Sequence, residues 1–187
     1  MYYMYKYLVK IYYKILKIYW SIGVSIYLKL SGVKLHKNVV FYGFPIIQMG
    51  KNSKIIINDN VVLCSDSRFT QLGINHPVVL KTSENAEISI GKNTGISGAS
   101  IYAEQKILIG QECLIGADAK IFDTNFHSLK KENRRFNTDK NDISSKQIII
   151  EDNCFIGANA IILKGSVIKK DTVIPAGAII REKKIND

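Results

Sequence analysis

Acidic residues are missing from the first third of this chain: no Asp or Glu precedes Asp59, and all sixteen lie from there onward. Nine lysines occupy residues 1–58, so that stretch carries +9 of the formal +10, and residues 59–187 sum to +1. Basicity confined to one end, on an almost neutral body, argues against a duplex-binding face and for a local interaction. Proline is scarce, at 3, and 47% of the residues are hydrophobic, which excludes a disordered chain. The three cysteines, Cys64, Cys113 and Cys154, form no CxxC pair and are odd in number, as expected of reduced thiols in the cytoplasm. The three histidines, His36, His76 and His127, lack the closely spaced pair of a zinc site, so no metal is expected. Long apolar runs are absent as well. The longest charge-free stretch near the start, Ile18 to Leu28, is 11 residues, where a helix needs roughly 20 to span a bilayer. Lys10, Lys14 and Lys17 interrupt any signal-peptide core, and a cytoplasmic location is the expectation.

What the N-terminus does contain is Tyr, Ile, Leu and Lys. Lys6, Lys10, Lys14 and Lys17, spaced 4, 4 and 3, fall within roughly 80° of a helix at about 100° per residue. Nearly everything else around that helix is apolar or aromatic, including Tyr5, Tyr7, Leu8, Ile11, Tyr12, Ile15, Ile18, Tyr19 and Trp20. Such a helix suits a membrane interface, with the alternative that it packs on its own body or in an oligomer. Residues 1–34 form this amphipathic segment, with Gly23 and Ser25 expected to loosen it before a turn near Gly32.

The C-terminal third repeats. Ile150, Ile156, Ile162, Ile168, Ile174 and Ile180 recur every six residues, in the units IEDNCF, IGANAI, ILKGSV, IKKDTV and IPAGAI. The fifth position of each is small or Thr: Cys154, Ala160, Ser166, Thr172, Ala178. Ile109, Ile115 and Ile121 keep the rule upstream, Ile90 and Ile96 open another run, and weaker units start at Met49, Ile55 and Val61. A period of six is neither 3.6 nor 2. It fits a coil whose three sides are short strands, with the aliphatic inside and the small residue at the corner, stacked turn on turn into one core.

With these units the chain resembles the hexapeptide-repeat acyltransferases over residues 35–181, within them most closely the maltose and galactoside acetyltransferase type and its relatives that modify capsule and O-antigen polysaccharides. The fold this implies is all-β, a left-handed parallel β-helix (residues 35–187) behind the helical segment. The handedness comes from the resemblance.

In the middle run the next aliphatic is due at 127, where His127 stands instead, in Asp123-Thr124-Asn125-Phe126-His127-Ser128-Leu129. A polar loop, residues 128–146, follows before the repeat resumes at Ile148. A loop extruded from a solenoid is where function is expected. The string resembles the D-x-[DN]-x-H-x-L signature around the catalytic histidine of the polysaccharide O-acetyltransferases. An imidazole, with an ordinary pKa of about 6.5, can take the proton of a sugar hydroxyl as it attacks a thioester. Asp123 or Asn125 is the expected partner of the second ring nitrogen. Both buried-slot cysteines, Cys113 and Cys154, point to direct transfer without a cysteinyl intermediate.

The resemblance further implies acetyl-CoA as donor, a sugar or polysaccharide acceptor, and a homotrimer with a donor groove between neighbouring β-helices. Phe155, Ala158 and Ala176 match positions lining that groove, and Arg181, Lys183 and Lys184 are placed to meet phosphates. The family's closing N-P-[AC]-x-x-[IV] segment is missing. Ser97 stands where the galactoside-type enzymes have an active-site asparagine, which implies acceptor binding; its alternative is a small corner residue. Asn75-His76-Pro77 interrupts the earlier coils and is a candidate wall of the acceptor cleft, the alternative being a turn with a satisfied histidine. The expected activity is O-acetyl transfer to a cell-surface polysaccharide or its precursor. N-acetyl transfer to an amino sugar and a non-catalytic scaffold are the other readings.

Overall fold

Three flat parallel sheets of six strands each wrap one core in the computed structural model, which describes residues 2–132, 134–136 and 139–182. Sheet A holds Lys34–Leu35, Lys54–Ile57, Glu87–Ile90, Lys106–Ile109, Ile148–Ile150 and Val167–Ile168. Sheet B holds Val40–Tyr42, Val62–Cys64, Gly95–Ser97, Leu114–Ile115, Phe155–Ile156 and Val173–Ile174. Sheet C holds Ile46–Gln48, Val79–Thr82, Ser100–Ala103, Lys120–Phe122, Ile161–Leu163 and Ile179–Ile180. The chain visits A, B and C in turn six times, so each visit to all three is one coil of a left-handed parallel β-helix.

The register explains why the aliphatic period exists. In sheet A, Leu35, Ile57, Ile90, Ile109, Ile150 and Ile168 sit directly over one another. Phe41, Leu63, Ile96, Ile115, Ile156 and Ile174 do the same in B. Ile47, Leu80, Ile101, Ile121, Ile162 and Ile180 complete the third column in C. Most of these side chains are fully buried, and each contributes about 1.5–3 kcal/mol by leaving water.

The corners obey a second rule. The fourth residue of the repeat lies in the left-handed backbone region, as at Asn93 (φ 60), Asp118 (φ 59), Asn153 (φ 55), Asn159 (φ 58) and Asp171 (φ 63). Asn and Asp tolerate that conformation because their short polar side chains bond locally, and Gly165 (φ 76) and Gly177 (φ 72) serve where no side chain is present. The fifth residue then turns inward, and in the A–B corner it bonds upward. Thr94 Oγ1 donates to Gly110 O (2.8 Å), Cys113 Sγ to Glu151 O (3.2 Å) and Cys154 Sγ to Lys169 O (3.1 Å). Burial pushes all three cysteine thiols up from their ordinary range, so they stay protonated packing groups.

The early coils refine the expected phase. Ile47, Ile57 and Leu63 occupy the three continuous columns, while Ile55 and Val61 are buried beside them and Met49 packs against the core. The second to fourth strands of sheet A have four residues each and, with the fifth, carry a second inward column, Ile55, Ile88, Ile107 and Ile148. That stretches the C-to-A spacing to ten between Leu80 and Ile90 and to eight between Ile101 and Ile109.

The helix α1 (Tyr2–Leu30) is unbroken at Gly23 and Ser25, contrary to expectation, because flanking Val24 and Leu28 are fully buried against the first coil. It ends in a Schellman motif: Val33 N donates to Leu28 O (3.0 Å) and Gly32 N, at φ 87, to Lys29 O (3.1 Å). Trp20, Val24 and Leu28 join the core cluster, and Phe41 N, on the open edge of the first coil, donates to Ser21 Oγ (3.1 Å). The helix thus caps the N-terminal end of the solenoid. Tyr13 meets Phe69 edge-on (5.1 Å) and Lys17 lies over Tyr42 (5.8 Å). No helix among the described residues is long and apolar enough to cross a membrane.

Candidate active site

The solenoid is interrupted twice, after Cys64 in the second coil and after Phe122 in the fourth. The second interruption carries His127. Alternation along Lys120–Phe122 puts Ile121 inward and Phe122 outward, so Asp123 turns inward again and is 0% exposed. Its carboxylate accepts three backbone amides, from Glu104 (2.6 Å), Gln105 (2.9 Å) and Lys106 (2.8 Å). Burial raises its pKa above the ordinary carboxylate value, while the amides, which favour the charged form, pull the other way. Both oxygens are therefore committed to the neighbouring coil. Asp123 does not orient His127; it anchors the start of the loop and the 104–106 backbone.

Between these points the chain makes a three-residue turn, His127 N donating to Asn125 O (2.7 Å), with Phe126 at φ 60. A bulky residue in the left-handed region is strained by about 1–3 kcal/mol. Two ring contacts offset that, Phe126 with Tyr102 (4.9 Å) and with Phe122 (5.4 Å). The strained turn delivers His127 to the wall of a cavity of about 620 Å³, lined with Ser83, Glu84, Tyr102, Glu104, Gln105 and Arg135 among others. His127 is exposed there, and no described residue bonds its imidazole.

That cavity contains residues that sequence reasoning missed. The Glu104 carboxylate accepts from Ser83 Oγ (3.1 Å) and Tyr102 Oη (3.2 Å), which fixes it at the mouth. Burial and the Glu104 charge push the Tyr102 phenol up, keeping it a donor. The available signal was the spacing itself: the six-residue step fails at the C–A corner in each of the first four coils, and Ser83, Glu84, Glu104 and His127 all sit at that corner.

On the other side of the Thr124–His127 segment lies a second cavity, about 390 Å³, lined by Phe122, Thr124, Asn125, Leu129, Leu163, Lys164, Arg181 and Glu182. Thr124 lines both. Here Asn125 is not a partner of His127 either, and its Nδ2 is buried with no acceptor. An unpaired buried amide donor costs about 1–3 kcal/mol and marks a place where a ligand oxygen would fit.

The remaining candidates lie elsewhere. Asn75 is a loop anchor: its N and Nδ2 donate to Asp118 Oδ1 (2.9 Å) and Oδ2 (2.7 Å). His76 Nδ1 is bonded with Pro77 O (2.7 Å) and Nε2 with Ser100 Oγ (3.3 Å), so both ring nitrogens are engaged at the B–C corner. Neither lines the cavity of His127, and acceptor binding within one chain is corrected for both. Ser97 is on sheet B, paired with Cys64, also away from that cavity. Phe155 is exposed on sheet B. Ala158 and Ala176 stack along the B–C corner, where a Cβ on Gly116 would meet Ala158 N at 2.6 Å and one on Gly157 would meet Ala176 N at 2.4 Å. Of the expected donor-site residues among those described, only Arg181 lines the second cavity, with Thr124 and Asn125 of the His127 segment. Lys183 and Lys184 lie outside the described residues.

Comparison with known proteins adds the following. The family model "Hexapeptide repeat of succinyl-transferase" matches residues 147–182, the last two coils. Among solved structures, the polySia specific acetyltransferase NeuO is similar at 18% identity, over 82% of this chain and 85% of that one, with a TM-score of 0.43. A mutant of AntD, an N-acyltransferase from Bacillus cereus in complex with dTDP and Coenzyme A, is similar at 17% identity, over 83% and 77%, with a TM-score of 0.44. No curated protein matches the chain.

Proposed function

We propose that the protein is an acyltransferase that moves an acetyl group from acetyl-CoA to a hydroxyl of a sugar or polysaccharide, with His127 as general base. The observation that carries this is an imidazole without a partner among the described residues, delivered by a strained turn to the wall of the larger cavity, with a second cavity of different chemistry at Thr124 and Asn125 of the same segment. The larger one offers the Tyr102 and Phe126 rings beside Glu84, Glu104, Ser83 and Gln105, an apolar face edged with acceptors and donors that suits a sugar ring. The smaller offers Phe122, Leu129 and Leu163 for an apolar arm and Lys164 and Arg181 for phosphate, which fits CoA. His127 takes the proton of the acceptor hydroxyl while its oxygen attacks the thioester carbonyl. A C–O bond forms, the C–S bond breaks, and the proton passes from the imidazolium to the departing sulfur. The Asn125 amide supplies an unused donor for the carbonyl oxygen or the pantetheine.

The proposal includes a homotrimer. Phe155, Ala158 and Ala176 lie apart from His127 within one chain, and they join a donor groove once a second copy's loop packs beside them. It also takes residues 1–34 as an anchoring segment, residues 35–187 as the catalytic unit, and the cytoplasm as the site of action. The test is thiol release from acetyl-CoA with candidate glycans. Acceptor-dependent release that falls about 10²–10⁴-fold in His127→Ala supports the reading; equal release from the variant, or none from the native chain with any acceptor, removes it. Alkaline lability of the product separates an ester from an amide.

A further inference from the structure

The lysines and the greasy residues of α1 do not face the way a solvated cap would require. Projected down the axis, Ile11, Ile15, Ile18 and Ile22 lie roughly 150° from Trp20, Val24 and Leu28, the residues that seal the solenoid. The aliphatic stripe therefore points away from the molecule: Ile15 is 59% exposed, Ile18 52%, Ile22 59% and Ile26 57%. Tyr5, Tyr12 and Tyr19 flank it, also exposed. Because Ser21 bonds the edge amide of Phe41, the helix lies across the end of the first coil, and the stripe forms the outermost surface of that end.

Beside it opens a basic cleft of about 620 Å³, between the end of α1 and the first coil. Lys29, Lys34, His36 and Lys37 contribute to its lining together with Ser25. None of the three lysine ammonium groups has an ion-pair partner among the described residues. Asp59, the nearest acid in the sequence, is taken up by Lys37 N (2.9 Å) and faces His36 (3.8 Å).

From this arrangement we infer that the N-terminal end of the solenoid docks on an anionic lipid surface. The helix lies flat in the interface, Ile11, Ile15, Ile18, Ile22 and Ile26 enter the acyl boundary, and the Lys29–Lys34–Lys37 cleft takes lipid phosphate. Exposed tyrosines flanking the stripe suit the headgroup layer. A second copy is a poorer occupant. Pairing two such ends would bring together lysine-rich surfaces with no acid before Asp59 to neutralise them. The inference is independent of acyl transfer, and its test reads no activity.

The full chain is sedimented with vesicles of phosphatidylcholine alone and of phosphatidylcholine mixed with phosphatidylglycerol, alongside Ile15→Glu/Ile22→Glu and Lys34→Glu/Lys37→Glu. All four positions are exposed, so both variants should fold, and circular dichroism checks that. Binding that favours the anionic vesicles, falls roughly tenfold or more for each isoleucine replaced, and loses its anionic preference in the lysine variant is the expected result. Equal sedimentation of the native chain and the isoleucine variant overturns the inference. So does an isoleucine variant whose only change is a smaller oligomer by analytical ultracentrifugation, which would assign the stripe to a second copy.

Discussion

The two interruptions of the solenoid carry one histidine each, and the contrast between them sets a fully hydrogen-bonded imidazole against an unbonded one. In the 65–78 loop, Asn75 is bound to Asp118 and both nitrogens of His76 are engaged. In the 123–147 loop the first residue is bound just as firmly, Asp123 to three amides, but the histidine four positions on is left free at a cavity wall. Anchoring at the root of a loop and freedom further along it are complementary. Among the described residues of this loop, the carboxylate that fixes position is satisfied, whereas the imidazole and the Asn125 amide are left unpaired.

The most direct way to break this contrast is to exchange the fates of the two histidines. His127→Ala should lower acceptor-dependent turnover about 10²–10⁴-fold with little change in melting temperature. His76→Ala should leave turnover within a few-fold and cost about 1 kcal/mol of stability, seen in thermal denaturation. Comparable turnover losses in both would abolish the distinction. Asp123→Ala should be the largest stability change, about 3 kcal/mol, because it leaves three buried amides without an acceptor. Asp118→Ala should cost less, about 1–2 kcal/mol, and should expose the 65–78 loop to limited proteolysis while His127 keeps its cavity. Cys113→Ala and Cys154→Ala should shift stability by about 1 kcal/mol and leave turnover unchanged; a turnover loss would point to a cysteinyl intermediate.

The smallest effect concerns pH. The Arg68 guanidinium holds the Asp66 carboxyl below its ordinary value. A carboxyl lowered in the folded state contributes stability that is present near neutrality and lost as pH falls through the lowered value. The first loop should therefore become more protease-sensitive in acid, and Arg68→Ala should erase that pH dependence.

The columns of Ile in the last coils were legible because each side there is one short strand with one inward residue. The early coils were not, because the second inward column formed by Ile55, Ile88 and Ile107 lengthens the C–A step from six to ten, ten and eight residues at the first three corners. The identity of His127 as the departure from the repeat was legible for the same reason: an aliphatic was due and did not come. Asp123 was assigned to the imidazole because the two stand close in sequence. Strand alternation from Ile121 already places it inward, where backbone amides, not side chains, are the available donors. Tyr102, Ser83 and Glu104 come from other coils and meet only through stacking, which no local motif encodes.

A β-helix has no intrinsic length. Each coil is a template for the next, and the first and last offer unpaired amides and carbonyls to any other chain. At the far end the strands shrink to two residues. At the near end α1 lies over the edge, with Ser21 on the amide of Phe41 and Val24 and Leu28 closing the core. The helix is thus a stopper: without it, the exposed disc of Val33, Val39 and Phe41 would offer a nucleus for end-to-end fibres.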